Sequence, residues 1–158
     1  MNPYNRAAAL AYALRWARYR NPRFYDFSDL GGDCTNFASQ CLYAGTGVMN
    51  FSQINGWYYV NLNDRSPSWT GVQFLNDFLT ANTGPGPVAR LAALSEAETG
   101  DIIQLQDANG RLYHSLVVLN TGGSDILVAA HTDDSLLRPL SSYSYANAIL
   151  LHILGYRP

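Results

Sequence analysis

The chain has 158 residues, of which 47% are hydrophobic, 13% aromatic and 14% charged, with a formal net charge of -2. This composition lies far from the signature of disorder, and the length suits a single domain, residues 1–158, that buries a sizeable core. The weak acidity argues against a nucleic acid or an anionic membrane as a charge-driven partner. No apolar run approaches the roughly 20 residues that a membrane-spanning helix needs, and Met1-Asn2-Pro3-Tyr4 does not read as the start of a signal peptide. All ten cationic side chains are arginine, and nothing in the chain explains that bias.

Asn2-Pro3 predicts a helix start, with Asn2 as N-cap and Pro3 in the first helical position. Ala7, Leu10, Leu14 and Ala17 then follow helical spacing on one face, and Asn21-Pro22 ends the helix. A glycine-terminated loop leads to a second helix that begins between Asp33 and Thr35. Cys34, Phe37, Ala38, Cys41 and Leu42 form its apolar stripe, and Gly45 and Gly47 stop it. A long aromatic loop runs through Trp57 to Trp69, a third helix spans Gly71 to Ala81, and Gly84-Pro85-Gly86-Pro87 makes a turn. From Gly100 the period changes to that of strands, at Ile102–Leu105, Leu112–Asn120, Ile126–His131 and Ile149–Leu154. Helices first and strands second predict an α+β fold with N-terminal helices on a C-terminal antiparallel sheet.

Gly122-Gly123 between the second and third strands predicts a two-residue hairpin turn, in which both central positions take positive φ. That turn places His114 directly opposite His131 on one face of the sheet, with Cβ atoms ~5 Å apart. A slip of one residue would send the two rings to opposite faces. Two satisfied, partly buried histidines are the plain alternative, and a metal pair has no third ligand fixed by spacing.

Cys34 and Cys41 on one helix stand ~10 Å apart, beyond the ~7 Å Cα limit for a disulfide, and zinc-ligand spacings are absent. Two buried thiols, a redox site or one nucleophile remain. Cys34 lies in the first turn after Gly31-Gly32-Asp33, where helix amides favour a thiolate and lower its titration below that of a free thiol. Cys41 lies two turns on, in the apolar stripe. Cys34 is therefore the candidate nucleophile and Cys41 a core residue. Asp33 reads as a helix N-cap. Asp26, Asp29 and Asp33 are close-spaced carboxylates, but calcium needs about six to eight oxygens, so the expectation is no metal and no cofactor. Tyr25, Trp57 and Trp69 are candidates to line a substrate groove, with core packing as the commoner fate of such aromatics. His152 alternates within an apolar strand and reads as structural.

The run Gly31-Gly32-Asp33-Cys34-Thr35-Asn36-Phe37-Ala38-Ser39-Gln40-Cys41 resembles the signature of the "Putative amidase domain" family of Gram-positive bacteria, a branch of the papain-like NlpC and CHAP superfamily. The likeness continues through Tyr25-Asp26-Phe27, Arg65-Ser66-Pro67-Ser68-Trp69, Gly100-Asp101-Ile102-Ile103, His114-Ser115-Leu116-Val117-Val118, Ala129-Ala130-His131-Thr132 and Arg138-Pro139-Leu140. The resemblance implies a papain-like fold and hydrolysis of an amide bond in a peptide or peptidoglycan-like substrate. It implies Cys34 as nucleophile, His114 as general base and acid, and His131 as the group that orients His114, with Asp133 and Asp134 as competitors for the last role. The expected setting is outside the cell or in the cell wall, and the expected working form is a monomer. A transglutaminase-like acyl transfer on the same residues, and a non-catalytic binding module on the same fold, are the competing functions.

Overall fold

A computed structural model describes residues 1–158. Helix α1 spans Arg6–Trp16, with Asn5 rather than Asn2 at its N-cap; the Asn5 side chain accepts from Ala8 N at 3.0 Å. Asn2 precedes a proline, which favours extended backbone over the helical region. It exchanges two main-chain hydrogen bonds with Tyr156 instead. Helix α2 spans Cys34–Thr46 and ends at Gly47 in the left-handed conformation, φ 67°. The long aromatic loop contains a small hairpin, β1 (Tyr59–Asn61) and β2 (Asp64–Arg65), and a one-turn helix α3 (Pro67–Thr70). Helix α4 spans Val72–Ala81 and buries Leu75, Phe78 and Leu79.

A six-stranded antiparallel sheet follows: β3 (Gly86–Ala92), β4 (Ile102–Gln106), β5 (Leu112–Asn120), β6 (Leu127–Ala130), β7 (Ser135–Pro139) and β8 (Asn147–Arg157), in the order β3-β8-β4-β5-β6-β7. The fold is α+β, as the element pattern predicts. The two strands without a sequence signal, β3 and β7, are the two edges. An edge strand tolerates the prolines of Gly86-Pro87 and Arg138-Pro139, and neither strand alternates cleanly: β3 buries its first four residues in a row and β7 buries only Ser135.

Alternate residues of the strands serve two apolar layers. Ile102, Val117, Leu119, Ala129, Leu151 and Ile153 face the helices, in one cluster with Phe37, Leu42, Trp57 and Trp69. Ile103, Leu105, Leu116, Val118, Val128 and Leu150 face the other way, under Leu140 and Tyr143. Asp101, fully buried at the start of β4, ties α1 to the sheet. It accepts from Arg6 Nη1 (2.8 Å), His152 Nδ1 (2.8 Å), Glu98 N (2.9 Å) and Ile153 N (3.0 Å). His152 thus has a structural partner.

Candidate active site

The chain enters α2 through Gly31 and Gly32, at φ 85° and 100°, a left-handed backbone that glycine adopts without strain. Asp33 occupies the N-cap position, but its carboxylate does not cap the helix. It turns back, fully buried, to accept from Phe27 N at 2.7 Å, from Asn36 Nδ2 at 2.8 Å and from His131 Nδ1. Arg20 flanks it at 3.6 Å. The expected capping role is therefore corrected: the acid welds α2 to the preceding loop and to the end of β6, and leaves the first-turn amides uncapped.

Those amides and the sheet meet at Cys34, which is 8% exposed. The main-chain N–H groups of Thr35 and Ser115 act on its Sγ, and the Thr35 hydroxyl lies 3.8 Å away. Val118 N donates to Asp101 O on the β4 side, so strand alternation aims Ser115 N the other way, past the end of β6 at Ala130. Burial is the strongest influence on the thiol and raises it above its ordinary 9.0, while the Ser115 and Thr35 hydrogen bonds pull it back and Asp33 adds to the rise. The lowered titration expected from the helix N-terminus is thus overturned, because desolvation outweighs the favourable amides. Cys41 is fully buried in the core and raised further.

The histidines are not opposed. β5 and β6 pair Val117 with Ala129, Val118 with Val128 and, after a register shift, Asn120 with Leu127. Neither Gly122 nor Gly123 takes the positive φ that the two-residue turn demands. Asn120 Oδ1 accepts from Gly122 N at 2.7 Å and opens a wider loop instead. The register carries Ser115, not His114, to the face that α2 covers. His114 pairs with Leu105 and shares its face, its ring 5.8 Å from that of Tyr143.

His131 does not orient His114. Its Nδ1 donates to Asp33, its Nε2 donates to Trp16 O at 2.7 Å, and its ring stacks on Phe37 at 4.1 Å. Both ring nitrogens are spent on the helix side. The chain then turns through Thr132 and Asp133 at φ 66° and 52°, left-handed values that strain a β-branched residue most. Asp134 is held in a two-pronged pair with Arg20, at 2.9 and 3.0 Å. Asp133 is the carboxylate whose charge acts on His114. Asp26 also lies on Arg20, at 3.2 Å.

His114 makes no hydrogen bond within the protein. Burial, helped by Arg138, pushes its titration from the ordinary 6.5 down to about 4, against the pull of Asp133. The unfolded chain therefore takes up this proton first. Stability is complete above pH 6.5 and falls as the pH drops towards about 4, a loss of about 3 kcal/mol at most. Denaturant unfolding of His114→Gln across this window should show a flatter dependence on pH than the parent.

Trp57 and Trp69 are fully buried, which removes them from a substrate groove. Their rings pack at 4.6 Å, and their indole nitrogens donate to Ser39 Oγ (3.1 Å) and Asn36 Oδ1 (3.0 Å). Tyr25 remains 42% exposed, and its carbonyl accepts from Asn36 Nδ2, beside Asp33. A cleft of about 710 Å³ lies elsewhere, between the Asn50–Gly56 loop and α4, without Cys34 or His114 in its wall. Sequence reasoning passed over Gln104 and Ser115. Their signal is a polar residue at a strand position whose alternate neighbours are buried.

The family described as "Putative amidase domain" matches residues 3–154. The uncharacterized protein YhbB of Bacillus subtilis (strain 168) is 34% identical over 139 residues, which cover 85% of this chain and 43% of YhbB. The chain thus spans less than half the length of that relative. No solved structure matches. With almost its whole length inside one family, this chain belongs to the "Putative amidase domain" family.

Proposed function

We propose that this chain is a cysteine-dependent hydrolase of amide bonds, with a papain-like arrangement of the NlpC and CHAP kind and a peptidoglycan peptide or a related peptide as substrate. One observation supports it above the others: Cys34 opens α2, and the buried Thr35–Ser115 contact at 3.0 Å ties that first turn to β5, the strand that carries His114. His114 immediately precedes Ser115 on that strand. In this reading the His114 ring swings from its place beside Tyr143 to meet the thiol. With Cys34 raised and His114 lowered, the resting pair is a neutral thiol and a neutral imidazole, which suits general-base activation.

In this reading His114 takes the thiol proton as Sγ attacks the carbonyl carbon. The oxyanion gathers against the uncapped amides at the start of α2. His114 returns the proton to the leaving amine, and water then hydrolyses the thioester. Asp133 replaces His131 as the group that steadies the imidazole, while His131 and Asp33 hold α2 in place. Tyr25 borders the substrate path. The setting is the cell wall or the exterior, and the working form is a monomer. Mass analysis of purified peptidoglycan treated with the protein tests the reading. A cleaved amide with a new free amine and carboxylate is expected. Exchange onto an added amine in place of water would instead favour acyl transfer, and unchanged peptidoglycan with slow Cys34 alkylation would favour a binding module.

A further inference from the structure

A buried polar chain runs to the sulfur from α4, between the helices and the sheet. Gln104 on β4, Ser115 on β5 and Thr35 on α2 are all fully buried where the helix meets the sheet. Asn76 Nδ2 of α4 donates to Gln104 Oε1 at 3.1 Å, and Gln104 Nε2 lies 2.9 Å from Val72 O and 3.3 Å from Ser115 Oγ. Ser115 Oγ lies 3.0 Å from Thr35 Oγ1, which lies 3.8 Å from Cys34 Sγ.

The directions of these bonds follow from the ends. The Val72 carbonyl only accepts, so the Gln104 atom facing it is the NH2 group, whose second hydrogen goes to Ser115 Oγ. Ser115 then has one acceptor left for its own hydrogen, Thr35 Oγ1. Thr35 in turn has Sγ as the remaining acceptor for its hydrogen. Reversing the hydroxyl pair would leave the Ser115 hydrogen facing no acceptor in a site with no water access, a costly loss.

We propose that Gln104, Ser115 and Thr35 form a one-way chain of hydrogen-bond donors ending on Cys34 Sγ, with Thr35 as the positioning residue that holds the sulfur and favours its thiolate. Its use in hydrolysis rests on the reading of Cys34 as nucleophile. The charged group that acts on the sulfur is Asp33, with its partners His131 and Arg20 on the α1 side; His114, with Asp133 and Arg138, lies one residue before Ser115 on β5. Substitution of Thr35 alters none of them.

The test is iodoacetamide alkylation of Cys34, resolved from Cys41 by peptide mass analysis, across neutral to alkaline pH. Thr35→Val removes the last donor in nearly the same volume. It should move the alkylation profile to higher pH and slow the reaction at neutral pH by about tenfold, while Thr35→Ser should keep the parent profile. A folded Thr35→Val protein with an unchanged profile overturns the proposal. If Thr35→Val does not fold, Ser115→Ala decides: a smaller shift in the same direction upholds the chain, and no shift overturns it. Alkylation reads the sulfur and not turnover. A protein inert towards peptidoglycan but with a Thr35-dependent profile would therefore sink the hydrolase reading and leave this one standing.

Discussion

Cys34→Ala should lower amide hydrolysis by about 10⁴-fold or more, because loss of a nucleophile removes the covalent route and leaves only binding and oxyanion contacts. The fold should survive, since Cys34 is a small side chain at the edge of the sheet, outside the two apolar clusters, and its loss leaves a minor void. Thermal unfolding close to the parent together with absent turnover is the expected pair of results. Hydrolysis at the parent rate in the purified variant would reject the nucleophile. His114→Ala should fall nearly as far if the imidazole carries the proton in both directions, and the double variant should be hardly worse than either single one, as for residues that act as a unit.

Asp33→Ala should cost about 3–5 kcal/mol of stability, since it strips one carboxylate from several buried donors and leaves the His131 ring without its anion. Phe27 N, Asn36 Nδ2 and His131 Nδ1 all converge on it. That is a large part of the roughly 5–15 kcal/mol a domain holds in total. Asp33→Asn is the sharper variant. Its amide can present oxygen to Phe27 and Asn36 but must then present N–H to His131 Nδ1, so it should recover only part of the loss. Denaturant unfolding of the two variants checks this order, and a loss below about 1 kcal/mol for Asp33→Ala would show that the carboxylate does not hold α2 in place. Since Asp33 precedes Cys34 directly, activity should fall with stability in the same variants.

The chain's local patterns carried the helices and inner strands because those signals are short-range. The stripe from Cys34 to Leu42, the glycine stop at Gly47 and the apolar alternation of Leu112–Asn120 each depend on a few neighbours. The same local chemistry placed Cys34 in the first turn of its helix and Cys41 in the core. The edge strands β3 and β7 were silent, because an edge tolerates proline and neither strand alternates cleanly between buried and exposed residues.

What needed the tertiary structure was every statement about which side chain meets which. A turn that opens wider than Gly122-Gly123 suggests shifts the register, and a shift of one residue exchanges the faces of a strand. That exchange put Ser115 under α2, set His114 beside Tyr143 and freed His131 to bind Asp33 and Trp16. Burial likewise belongs to the assembled molecule. It buried Trp57 and Trp69 away from any groove and raised Cys34 where its helix position alone would lower it. The sequence determined which elements exist and which sulfur opens a helix, since these depend on neighbours a few residues apart. Only the packed sheet decided the partners of that sulfur, since register and desolvation arise from residues far apart in the chain.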